Sequence, residues 1–237
     1  MIKALFFDLD GTLLPISEKE FADRFIELLY KKIKSLDVNP DKFIAGMQRG
    51  LFAMFKNDGQ LRNDVVFYQA FNEKYPDISI EMINSIMNDF YENEFYQLND
   101  VAKENKYARE IIDTARSLVQ YVMLTTNPFF PITAIRNRMK FIGLKEEDFD
   151  YITTYDNSYY CKPNPLYFIK IMEMYHLSPE EVLVIGNNER EDFYCASKAG
   201  IRCILIGNNI EKYPELAVKY ENYDYQDVAN LLRRMCK

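Results

Sequence analysis

The first twelve residues constrain this chain more than any other stretch. They read Met1-Ile2-Lys3-Ala4-Leu5-Phe6-Phe7-Asp8-Leu9-Asp10-Gly11-Thr12, an apolar run from Ala4 to Phe7 that stops at two carboxylates one residue apart. An apolar run without polar alternation is the pattern of a strand buried on both faces, as in a parallel sheet. Ligands of open α/β sheets collect just beyond the carboxyl ends of the strands, which is where Asp8 and Asp10 fall. Extended backbone sends these two side chains the same way, and Gly11 permits a sharp turn after them. Two carboxylate charges about 4 Å apart repel by roughly 4 kcal/mol at an effective dielectric of 20. The pair therefore calls for a cation, a shared proton or both, and a hard cation such as magnesium suits oxygen ligands. A plain solvated Asp-Gly turn is the alternative that these residues alone leave open.

The rest of the chain supplies the context. Its 237 residues suffice for one large domain or a core with a smaller module. The net charge of -7 argues against a nucleic-acid or anionic-membrane surface. No apolar stretch approaches the roughly 20 residues that span a bilayer, and the start shows no cleavage-site pattern of a leader. Cys161, Cys195, Cys203 and Cys236 have neither metal-finger nor Cys-x-x-Cys spacing. Reduced thiols in the cytoplasm are the expectation.

Residues 16–100 carry helical spacing only. Phe21, Phe25, Leu28, Leu29 and Ile33 mark one helix, and Phe43, Ile44, Met47, Leu51 and Met54 a second. A third, capped by Asn63 or Asp64, carries Val66, Phe67, Ala70 and Phe71; a fourth, capped by Ser79, carries Met82, Ile83, Ile86, Met87 and Phe90. From Tyr107 onward helix and strand alternate. Helices are expected at 108–118, 132–141, 165–175, 191–199 and 226–235, and strands at 119–125, 151–154, 182–185 and 201–206. That rhythm means a parallel sheet covered on both faces. The domains expected are a core of residues 1–15 and 101–237 and a helical cap of residues 16–100, seated over the carboxyl end of the first strand.

Three other strand or helix ends add chemistry. Thr126 and Asn127 follow an apolar run and can donate to an anion. Lys162 precedes Pro163-Asn164-Pro165 at a helix start, where positive charge and free N–H groups favour an anion. Gly186-Asn187-Asn188-Glu189-Arg190-Glu191-Asp192 forms an acidic cluster at another strand end. Together these pieces match the needs of phosphoryl transfer, which rests on positioning and charge. His176, the only histidine, follows a helix and is expected to be an end residue, not a catalyst. Leu14 to Glu18 and the face near Arg49 and Lys56 are candidates for the substrate wall.

Asp8-Leu9-Asp10-Gly11-Thr12, Thr126, Lys162 in Lys-Pro-Asn-Pro, and Gly186 to Asp192 together resemble the four motifs of the haloacid dehalogenase (HAD) superfamily. The helical insert after the first motif resembles the cap of the subfamily with phosphoglycolate phosphatases and β-phosphoglucomutases. The resemblance implies a Rossmann-like α/β core with a helical-bundle cap, and a magnesium-dependent phosphatase of small phosphorylated metabolites working through an aspartyl-phosphate. It implies Asp8 as nucleophile, Asp10 as acid and base, and Lys162 as the charge-neutralising catalytic lysine. It also implies Gly11, Thr12, Thr126, Asn127 and Lys162 as phosphate contacts, and Asp8, Asp10, Asn187 and Asp192 as magnesium residues. Asn187 departs from the family pattern, which has aspartate there, so weaker magnesium binding is expected, with Glu191 or Asp192 compensating. Alternatives are a phosphomutase, a dehalogenase, and a binding or regulatory protein that has lost metal-driven catalysis. A small-molecule substrate is expected, without nucleic-acid or membrane partners, in a monomer or homodimer.

Overall fold

The computed structural model describes residues 1–236. Six strands, β1 (Ala4–Phe7), β2 (Tyr121–Leu124), β3 (Tyr151–Ile152), β4 (Val182–Gly186), β5 (Arg202–Ile206) and β6 (Asn222–Tyr223), form one parallel sheet in the order β3-β2-β1-β4-β5-β6. β1 is flanked on both sides: Ala4 pairs with Tyr121 and Val182, and Phe7 with Leu124 and Ile185. All four of its residues are buried, as the unbroken apolar run requires. Alternation divides them between two layers. Leu5 and Phe7 pack with α5 (Ala108–Leu118) and α9 (Tyr225–Met235); Ala4 and Phe6 pack with α7 (Leu166–Tyr175) and α8 (Cys195–Lys198). α6 (Ile132–Lys140) covers the first layer beside β2.

Between β1 and β2 the chain makes four helices: α1 (Glu18–Lys34), α2 (Pro40–Phe55), α3 (Asn63–Lys74) and α4 (Ile80–Asn93). Ser17, Asn39 and Ser79 cap α1, α2 and α4 by accepting from backbone N–H groups inside the first turn. Their apolar core is continuous with the first layer of the sheet. Phe21, Phe25, Phe90, Phe95 and Phe130 meet there, their rings mostly edge to face. No helix among the described residues is long and apolar enough to cross a membrane.

The expected strands and helices are present, with three local differences. α3 has no side-chain cap. Arg62 stands at the cap position, and Asn63 is buried, donating to Cys161 Sγ at 3.4 Å and accepting from Asn57 at 2.8 Å. β6 is too short for its two residues to show a period. The segment after β4 opens with a wide π-helical turn at Glu189–Tyr194 before α8, because Asp192 turns its carboxylate back onto the backbone of Asn187 and Asn188.

α2 meets α3 through glycine. A Cβ on Gly46 would lie 2.6 Å from the Phe71 ring and one on Gly50 2.4 Å from the Phe67 ring. Phe71 is fully buried against Phe43, with ring centroids 5.6 Å apart, and has no room to retreat. Gly46→Ala gains about 1 kcal/mol of helix propensity but overpacks a tight contact, at a cost of about 1–3 kcal/mol. We expect a net loss of about 1 kcal/mol, read from urea midpoints; an equal or higher midpoint would mean that the helices do not approach so closely.

Candidate active site

The strands deliver the charged residues to one edge. The ladder continues past β1: Asp8 N–H donates to the Ile185 carbonyl at 2.9 Å, and Thr125 N–H to the Phe7 carbonyl at 2.6 Å. Asp8 is thereby fixed between the ends of β2 and β4. Gly11 then turns at φ +78°, and a Cβ there would lie 2.1 Å from the Asn187 amide. Only glycine lets the first loop lie against the loop after β4.

Lys162 lies at the centre, with 1% of its surface exposed. Its Nζ donates to Asp8 Oδ1 at 2.9 Å and to Asp192 Oδ1 at 2.6 Å. Asp192 Oδ2 accepts from the backbone N–H groups of Asn187 and Asn188, both at 3.0 Å. The Asp192 carboxylate is therefore fully engaged in holding Lys162 and the β4 turn. Asp8 Oδ2 accepts only from Thr12 Oγ1, at 2.9 Å. One cation thus serves two buried carboxylates. Burial pushes Asp8 up to about 7 against the pull of Lys162, with the charges of Asp192 and Asp10 adding to the rise. Burial opposes the charge on Lys162, but Asp192 and Asp8 outweigh it and hold the ammonium well above its ordinary value.

Thr126 is buried and lines the same cavity. Asn127 lines it as well, but its amide is engaged: Oδ1 accepts from Lys162 N–H at 3.2 Å, and Nδ2 donates to Glu191 at 2.7 Å. It fixes the backbone that carries Lys162. Gly11 and Thr12 stand behind the wall and not in it. Glu18 lines the cavity, accepting from Asn188 at 3.1 Å. Arg49 points outward to the Ala70 carbonyl and Glu73, and Lys56 rests over the Phe52 and Phe55 rings; neither reaches the cavity. His176 closes α7 in the left-handed region, φ 54°.

One residue at the site escaped the sequence reading, and for another the reading missed its surroundings. Arg138, 1% exposed, is ion-paired with Asp10 Oδ2, and its guanidinium lies 4.6 Å from the Phe130 ring centroid and 5.6 Å from that of Phe21. Among the described residues, Asp10 Oδ1 and Arg138 Nη2 have no hydrogen-bond partner. The available signal was spacing: Arg138 continues the buried stripe Ala134, Ile135, Met139 of α6, where a solvated arginine does not belong. Glu191 is the other, for its place: it lies in the cavity wall beside Asn127, and burial pushes it up to about 8.

The oxygen atoms around Asp8 suit a hard cation. Thr12 Oγ1 lies 2.9 Å from Asp8 Oδ2 and 3.0 Å from Asn187 Oδ1. One hydroxyl proton can serve only one of these oxygens. Asn187 Nδ2 donates to the Asn209 carbonyl at 2.7 Å, which fixes the amide oxygen toward Asp8. Among the described residues the Asp10 carbonyl accepts no backbone hydrogen bond. A carboxylate, an amide oxygen and a free carbonyl are the oxygen chemistry that magnesium takes. Among the described residues no three His, Cys, Asp or Glu side chains cluster for a metal, so any ion here depends on neutral oxygens too.

The cavity holds about 280 Å³ and lies between the sheet edge and α1–α4. Similarity to known proteins agrees with this arrangement. Over 98% of this chain and 95% of its own length, the pyrophosphatase PpaX of Bacillus mycoides (strain KBAB4) is 23% identical. The HAD phosphatase of Thermococcus onnurineus superposes with a TM-score of 0.59 at 18% identity, covering 98% of each chain. The HAD-hydrolase YfnB of Bacillus subtilis, in a magnesium-bound form, superposes with a TM-score of 0.56 at 18% identity, covering 99% of this chain and 98% of its own. The family model for haloacid dehalogenase-like hydrolases matches residues 2–200. A parallel sheet with Asp8 and Asp10 at the end of its central strand, under a helical cap, thus belongs to a haloacid dehalogenase-like hydrolase, the family of this chain.

Proposed function

We propose that this hydrolase is a magnesium-dependent phosphatase that acts on a small phosphorylated metabolite through a phosphorylated Asp8. The observation that carries the reading is the buried Asp8–Lys162–Asp192 chain, with contacts of 2.9 and 2.6 Å, opening into a closed-over cavity. Asp8 attacks phosphorus in line as the ester P–O bond breaks. Asp10 gives a proton from Oδ1 to the leaving oxygen, then takes one from the water that attacks phospho-Asp8 and frees phosphate. Arg138 holds the other oxygen of Asp10, so Oδ1, which has no partner among the described residues, is the oxygen left to carry the proton. Lys162 offsets charge on Asp8 and the phosphoryl oxygens, and the Thr126 hydroxyl orients them. Asp8, the Asp10 carbonyl and Asn187 would hold magnesium, which when bound supplies charge neutralisation between nucleophile and phosphate. The magnesium-bound relative supports that cofactor. Four buried free thiols suit a reducing cytoplasm as the compartment.

Asn187 is the observation that favours a second reading, a binding protein without turnover. A phosphate-release assay over a magnesium series separates the two. Asp8→Asn should keep its fold and lose about a thousandfold or more in kcat; full activity in that variant would end the mechanism. Asn187→Asp gives up the N–H to Asn209 but adds a charged oxygen, so half-maximal magnesium should fall by about tenfold. No activity in either the parent or this variant would favour the binding reading.

The pKa of Asp8 makes magnesium uptake pH-dependent. Ligation requires the carboxylate, and Asp8 is protonated below about 7. Magnesium binding at pH 6 should therefore release about one proton and at pH 8.5 almost none, with affinity falling about tenfold per pH unit below 7. Calorimetry in buffers of different ionisation enthalpy measures this. Proton release that is the same at both pH values would place the proton elsewhere.

A further inference from the structure

The cavity is electrically lopsided. Its charged wall residues are Asp8, Asp10, Glu18, Arg138, Lys162, Glu191 and Asp192, all near the sheet edge. Five of these seven are acids, and both cations are already paired: Lys162 with Asp8 and Asp192, Arg138 with Asp10. The wall given by α2, α3 and α4 contains no charged side chain. Its apolar part is Met47, Leu51, Phe67, Ile83 and Met87, with Phe25 of α1 beside them. Its polar part is neutral: Gln48, Asn88 and Tyr91, and the Tyr68 hydroxyl, which donates to Asn84 Oδ1 at 2.5 Å and lies 3.3 Å from the Tyr155 hydroxyl.

A phosphoryl group seated at Asp8 and Lys162 directs the rest of the substrate into that apolar part. A second phosphate or a carboxylate there would meet no unpaired cation. Desolvating such a charge without a partner is costly. A polyhydroxylated group would set part of its hydroxyls against methionine and phenylalanine, where they lose partners. An alkyl or aryl group loses nothing on entry and gains its transfer free energy. We infer, on the basis of the phosphatase reading above, that the substrate is a phosphate monoester with an uncharged, mainly apolar leaving group, carrying only a few neutral hydrogen-bonding atoms for the amides and hydroxyls of that wall.

The test measures kcat/KM for straight-chain alkyl phosphates from ethyl to hexyl and for benzyl phosphate. Pyrophosphate, phosphoglycolate and glycerol 3-phosphate serve as comparators, and acetyl phosphate as a probe whose leaving group barely enters the cavity. The inference expects a rise of about fourfold for each added methylene until the cavity fills, with the charged comparators about a hundredfold below hexyl phosphate. The Asp8→Asn protein should show the same order in the rise of melting temperature on adding each ester, a readout independent of turnover. Leu51→Lys puts a cation into the wall and should lower hexyl phosphate by about tenfold while raising pyrophosphate and phosphoglycolate. If that variant does not fold, Leu51→Ala should reduce the gain per methylene. Turnover of acetyl phosphate with a flat alkyl series, or with pyrophosphate preferred, overturns this inference and leaves the phosphatase reading standing. No phosphate released from any of these compounds overturns both.

Discussion

One lysine shared by two buried carboxylates holds this site together. Lys162 comes from the loop before α7, Asp8 from the end of β1, and Asp192 from the turn after β4. An ammonium so deeply buried is tolerable only with anions around it, and the anions only with the ammonium. Their mutual need draws three segments, distant in sequence, to one point. Asp192 then spends its second oxygen on two backbone N–H groups, which shapes the wide turn and directs Asn187 inward. The arithmetic of the cluster leaves one negative charge uncompensated. Asp8 carries it, because it has fewer donors than Asp192, and its raised pKa follows from that imbalance and from burial. A residue in that condition is prepared to accept a cation, a proton or a phosphorus atom.

The two walls of the cavity divide the work by chemistry. The sheet edge supplies charge; the helices supply apolar surface and cover. Arg138 belongs to both. It pairs with Asp10 at the sheet edge and stacks against Phe21 of α1 and Phe130. The aromatic faces let the guanidinium be buried without a second carboxylate: Nε goes to the Ala134 carbonyl at 3.4 Å and Nη1 to one oxygen of Asp10. The other oxygen is left without a partner inside the cavity. That is an expensive arrangement for a residue whose only task is to fold.

The parts of this structure that were legible in the sequence are those set by local pattern. Ala4–Phe7 has the pattern of a doubly buried strand and is one, and Asp8, Asp10, Lys162 and Asp192, read at strand or helix ends, line one cavity. Ser17, Asn39 and Ser79 cap helices because a short polar side chain before an apolar repeat has that use. What was not legible depends on contacts across the fold. Asn63 has the composition of a cap, but Cys161 and Asn57 claim its amide. Asn127 has the look of an anion donor, but Lys162 and Glu191 claim both ends of it. Arg138 falls on the buried stripe of its helix, but its use cannot be read until Asp10 and two phenyl rings are placed beside it. Arg49, conversely, was read as a wall residue, and a pairing with Glu73 on the outer surface takes it away.

The amide at position 187 can be understood in the same terms. A carboxylate there would stand beside Asp8, with one Thr12 proton to share and no lysine of its own. In the metal-free protein that would add a third acid to a cluster that one ammonium already fails to balance. Asn187 keeps an oxygen at the place and removes the charge. Its N–H, given to the Asn209 carbonyl, aims that oxygen without help from a metal. On the magnesium reading proposed above, the exchange would lower the cost of the site without a metal and lower the attraction for a divalent ion by the same means. Asparagine at this position would then trade depth of metal binding for a site arranged by protein contacts alone.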